Sequence, residues 1–96
     1  MHNSNIDIND FIITIVEKLR FAEKLDQNSV NYLYDLLDQT AVNYTQQSDI
    51  PKQLAYSLLV LHDNLEGALY YYHGDELAYL SDINSRINGY IEKILL

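Results

Sequence analysis

Ninety-six residues leave room for one hydrophobic core, and the absence of cysteine excludes disulfides, thiolate metal sites and thiol nucleophiles. Fourteen acidic against six basic residues give a formal charge of −8, which repels nucleic-acid phosphates and anionic lipid surfaces. With 48% hydrophobic residues and no low-complexity tract, a single ordered domain over 1–96 is expected, flexible only at 1–5.

The N-terminal stretch MHNSNIDIND has neither the basic start nor the long apolar run of a secretory signal. The most apolar windows, FIITIV and SLLVL, are too short to span a bilayer, so a cytoplasmic location without a transmembrane segment is expected. Ile8, Ile12, Ile15, Leu19 and Ala22 recur at three- and four-residue steps and predict a first helix over 8–25, capped by Ser4 or Asp7. Val30, Leu33, Leu37, Ala41 and Tyr44 predict a second over 29–46, entered through Asp26, Gln27 and Asn28.

Pro51, the only proline, suits the first turn of a helix, where its missing N–H has no partner to lose. Leu54, Leu58, Leu61, Leu65, Leu69 and Tyr72 then predict a third helix over 51–73. Gly74 is placed to take the left-handed conformation that ends it, and Asp75 to cap the next. Leu80, Ile83, Ile87, Tyr90, Ile91 and Ile94 predict a fourth helix over 76–95. Short connections imply antiparallel neighbours. The fold class expected is all-α, an antiparallel up-down four-helix bundle.

Catalytic motifs are missing from the sequence: there is no G-x-S-x-G, no glycine-rich phosphate loop and no H-E-x-x-H. No enzyme activity and no cofactor are expected. His62 and Glu66 share a helix face, but two ligands define a metal poorly, and a histidine hydrogen-bonded to the neighbouring carboxylate is the expected role. His73 is expected at the C-terminal end of the third helix, where the dipole favours its cation. Asp75 and Glu76 read as solvated charge.

The most informative feature is the run Tyr70, Tyr71, Tyr72. Successive helical side chains lie about 100° apart, so three in a row cannot all face one core. With Leu65 inward, Tyr72 joins the core stripe, while Tyr56, Val60, Asp63, Gly67, Tyr70 and Tyr71 fall on the opposite half. Tyr79 joins them across the tight turn, concentrating aromatic rings at one end of the bundle. Close approach of another backbone would explain a glycine at 67. These seven residues are the partner-binding candidates, with phenolic rings suited to recognition.

The lone proline opening IPKQLAYSLLVLHDNL and the close turn into GDELAYLSDIN give a helix layout that resembles the immunity proteins of class II (pediocin-like) bacteriocins. The resemblance covers most of the chain through layout and hydrophobic spacing. It implies a cytoplasmic four-helix bundle that protects the producing cell by stoichiometric binding, with a bacteriocin–receptor complex as the protein partner and specificity in 51–96. Membrane association would then come only through that partner. A small helical interaction or regulatory module, monomer or homodimer, is the alternative. The acidic charge with adjacent tyrosines is also similar to the nuclease-colicin immunity proteins, which neutralise a basic toxin directly.

Overall fold

The computed structural model describes residues 7–96; Ser4 and the flexible segment expected at 1–5 lie outside the described residues. Four helices form, α1 (Ile8–Arg20), α2 (Gln27–Tyr44), α3 (Lys52–Ala68) and α4 (Gly74–Leu95), and among the described residues there is no strand. The protein is an all-α four-helix bundle.

Helix ends differ from the spacing-based expectation, each for a local reason. Asp7 caps α1 by accepting the Asn9 backbone N–H at 3.0 Å. At its other end α1 stops at Arg20 rather than 25, because Ala22 takes φ +55. Two reverse bonds then form, Glu23 N–H to Lys18 O at 2.9 Å and Ala22 N–H to Leu19 O at 3.1 Å. This is the left-handed helix stop that usually recruits glycine, here made with a Cβ that costs about 1 kcal/mol. Ala22 is therefore exposed instead of extending the core stripe. Ala22→Gly is expected to raise the unfolding free energy by about 1 kcal/mol in urea titrations; an unchanged midpoint would show that the stop is unstrained.

Asp26 starts α2 at Gln27, two residues earlier than expected, by accepting from the Ser29 backbone N–H at 3.0 Å and the Ser29 hydroxyl at 2.8 Å. The Ser29 hydroxyl, then the Ser29 backbone N–H, hold the Asp26 carboxyl below its ordinary value. A carboxyl whose pKa is lower folded than unfolded stabilises above the unfolded value, and that contribution is lost as pH falls through the folded one. The stability gap between wild type and Asp26→Ala should therefore narrow as pH is lowered from 7 into the range below about 4. A gap that stays constant with pH would contradict this.

Pro51 enters α3 in extended backbone, φ −60 and ψ 137, and α3 ends at Ala68 rather than running to 73. From there the bonds tighten to three-residue steps, Tyr70 N–H to Gly67 O and Tyr71 N–H to Ala68 O, both at 3.1 Å. Gly74 does adopt φ +61, but as the first residue of α4. His73 accordingly precedes α4 in extended backbone, φ −136 and ψ 158, at the positive end of that helix dipole. Neither His73 nor Asp75 makes a side-chain cap there; Asp75 and Glu76 occupy the first turn, where negative charge is favoured.

Around the bundle, α1 packs most extensively on α3, α2 on α4, and the sequential pairs α1–α2 and α3–α4 complete the ring. Consecutive helices alternate in direction, yet α1 and α3 run side by side and parallel. Arg20 Nε donates to Asn64 Oδ1 at 3.3 Å, linking the C-terminal ends of both. In α2 and α4, also parallel, the Arg86 guanidinium lies 4.1 Å over the Tyr34 ring, whose centroid is 6.0 Å from that of Tyr90. The 45–51 connection thus crosses from α2 to its diagonal partner α3, where the short loop implied an adjacent one.

Ile12, Leu19, Leu37, Leu58, Leu61, Leu65 and Ile87 fill the core with no solvent exposure. One seam departs from this apolar rule. Between α3 and α4, His62 Nδ1 meets Asn88 Oδ1 at 2.9 Å, and Asn84 Nδ2 donates to Glu66 Oε2 at 2.7 Å. An amide oxygen only accepts, so His62 Nδ1 carries the proton. The expected His62–Glu66 hydrogen bond gives way to two rungs between helices, because both side chains point across the seam. Asn84 Oδ1 is buried and has no hydrogen-bond partner.

Candidate protein-binding surface

The α1–α2 loop and the α3–α4 turn lie together at one end of the bundle because α1 and α3 are parallel neighbours. Tyr72 ties them: its hydroxyl donates to the Glu23 carbonyl at 2.8 Å, and its half-buried ring packs on the edge of the core. Burial, then the nearby charge of Glu76, keeps the Tyr72 phenol above its ordinary value, so it remains a donor. The neighbouring Tyr71 ring lies 6.1 Å from that of Tyr72, and Tyr70 is 88% exposed.

A cleft of about 620 Å³ opens at this end, lined by Lys24, Leu25, Asp26, Gln27, Asp75, Glu76 and Tyr79. Leu25 is buried and Tyr79 half-buried against the core, so the floor is apolar and the rim charged. A second cleft of about 170 Å³ lies between Ala22, Tyr71, Tyr72, His73 and Glu76, and Glu76 lines both. Burial, then the charge of Asp26, raises the Tyr79 phenol above its ordinary value.

The seven residues singled out from the sequence separate into two places. Tyr56, Asp63 and Gly67 lie along the outer side of α3, together with Leu59, which is 55% exposed. Parallel pairing of Arg20 with Asn64 places exposed Ile13 of α1 level with Tyr56 and Ser57. Val60 is half-buried and packs on the core instead of facing outward, because α1 covers that flank of α3. Tyr70 and Tyr71 follow in the turn, while Tyr79 lines the larger cleft with the α1–α2 loop.

The periodicity of α3 did not anticipate Phe21, Leu25 or Asp26 at this end. Phe21, the residue that caps the C-terminal end of α1, is 76% exposed. A cue was present in the acidic and polar run after it. Gly67 is also not explained by backbone packing, since a Cβ there would meet nothing within 4 Å. Gly67→Ala is accordingly expected to stabilise the isolated protein by about 0.5–1 kcal/mol, measured by thermal or urea unfolding. A destabilised variant would reveal a packing demand at this position.

Among the described residues no group of three or more His, Cys, Asp or Glu is placed to hold a metal ion, and no helix is long and apolar enough to cross a membrane. Comparison with protein-family models, curated proteins and solved structures finds no significant match.

Proposed function

We propose that this chain is a bacteriocin immunity protein, acting in the cytoplasm by stoichiometric binding of a protein partner and without catalysis. The observation that supports binding is the set of exposed tyrosines, Tyr70 and Tyr71 in the turn that leads into an open, acid-rimmed cleft and Tyr56 farther along α3. Large rings left in water on a closely packed bundle suit contact with another protein. Pro51 opening α3 and the short turn into α4 fit the layout on which the family resemblance is based. In this reading the partner is a bacteriocin–receptor complex, and 51–96 supplies the recognition.

Survival of a bacteriocin-sensitive strain expressing the protein, measured across a panel of class II bacteriocins, tests the proposal. Protection against at least one is expected, and loss of that protection in Tyr70→Ser/Tyr71→Ser; sensitivity to all of them would remove the immunity assignment. Self-association through Tyr56, Leu59 and Tyr71 is the second reading, favoured by their exposure on one molecule. Sedimentation separates it: a strict monomer for both wild type and Tyr71→Glu excludes the dimer.

A further inference from the structure

We infer that the larger cleft at the bundle end receives one lysine or arginine side chain from a cationic segment of the protein partner. The inference deepens the binding reading above and rests on it only in that the chain works by contacting another protein. Leu25 and Tyr79 supply an apolar and aromatic floor, on which the methylene stem of such a side chain can lie. Asp26, Asp75 and Glu76 supply three carboxylates around it, opposed by one ammonium from Lys24.

Two helix N-termini, those of α2 and α4, also face this end, and each contributes about half a positive charge. The C-terminal ends of α1 and α3 lie at the same end with half-charges of opposite sign, so the four helix ends roughly cancel, and three carboxylates against Lys24 leave a net negative charge of about two. A net negative charge there suits a cationic group, and disfavours a phosphate or carboxylate. Asp26 holds its charge firmly because Ser29 already satisfies it as a cap. The Tyr72–Glu23 hydrogen bond ties the α1–α2 loop to the α3–α4 turn beside the cleft, and Tyr71 stands exposed in the adjoining cleft, where it can cover apolar neighbours of the inserted cation.

A second copy of this chain is a poorer occupant, since the formal charge of −8 on each would be brought together. A partner of opposite charge gains from the same field, both in approach and in docking.

The test uses the full chain and an amphipathic lysine–leucine peptide as probe, with glutamine–leucine and glutamate–leucine peptides of equal length as controls, followed by calorimetry and by NMR shift changes. The lysine peptide alone should bind, should perturb Leu25 and Tyr79, and should weaken as salt is raised. Asp75→Asn/Glu76→Gln should weaken it about tenfold, whereas Asp38→Asn/Asp49→Asn, with the same change in charge elsewhere, should leave it within about twofold. Glu76→Lys provides a second variant and should abolish binding. Equal losses from the two double variants, or equal binding of the glutamine peptide, overturn the inference by reducing it to general attraction or general stickiness. Cells protected without any cleft-dependent binding also overturn it while keeping the immunity reading; cleft-dependent binding without protection supports it and removes that reading.

Discussion

Truncating Leu61 to alanine is expected to lower the unfolding free energy by about 3–4 kcal/mol, against about 0.5 kcal/mol or less for Leu59→Ala two residues away. The two leucines share a helix, a backbone conformation and an intrinsic propensity, so the difference isolates burial. Leu61 has no solvent exposure and Leu59 is 55% exposed. Removing the Leu61 side chain forfeits its transfer free energy and leaves a cavity beneath α3, the helix packed between α1 and α4. Since a domain of this size has only about 5–15 kcal/mol of total stability, such a loss should shift the urea midpoint far to the left. Similar losses from Leu59→Ala and Leu61→Ala would mean that the outer side of α3 is covered in solution.

The second large effect is expected at Asn84, where an isosteric charged substitution and an apolar one should act in opposite directions. Asn84→Asp sets a second carboxylate against Glu66 Oε2, at a position whose nitrogen now donates over 2.7 Å. Repulsion and burial should cost roughly 2–3 kcal/mol at neutral pH, discounted for the exposed side of Glu66. The new pair should hold one proton more readily folded than unfolded, so the lost stability returns as pH falls and is lost again as pH rises through the folded pKa of the pair. Asn84→Leu instead removes the buried Oδ1 that has no partner and leaves Glu66 to water, so it should be neutral or stabilising by about 1 kcal/mol. Parallel urea titrations at pH 5 and pH 8 decide the matter. An Asp variant as stable as wild type at pH 8 would show that the seam is wet.

The four helices were legible because Leu54, Leu58, Leu61 and Leu65 on α3, like Ile12, Ile15 and Leu19 on α1, repeat at the helical period and are buried where it places them. Their ends were less so. No glycine or proline marks the stop of α1, since Ala22 takes the left-handed conformation, and none intervenes between Ala68 and Tyr72, where the chain merely tightens into a turn. Periodicity within one helix also says nothing about which helix lies beside it. That is why the His62–Asn88 and Glu66–Asn84 rungs do not follow from the sequence, although His62 and Glu66 share a helix face there. At the candidate surface, Tyr70 and Tyr71 are exposed as expected, although they sit in a turn and not in the helix from which that expectation came. The contribution of Lys24, Leu25 and Asp26 did not, because it depends on the diagonal crossing that brings the ends of α1 and α3 together.

That diagonal crossing also divides the chain kinetically. Each of the hairpins α1–α2 and α3–α4 closes over a short loop, whereas the α1–α3 and α2–α4 contacts are reached only after the 45–51 tether swings one hairpin across the other. Loop-closure entropy favours early formation of the hairpins, so their docking is expected to be the slower, non-local step. In this sense the protein is two hairpins on a leash. At high concentration, two copies can form the same set of contacts by trading hairpins across their tethers.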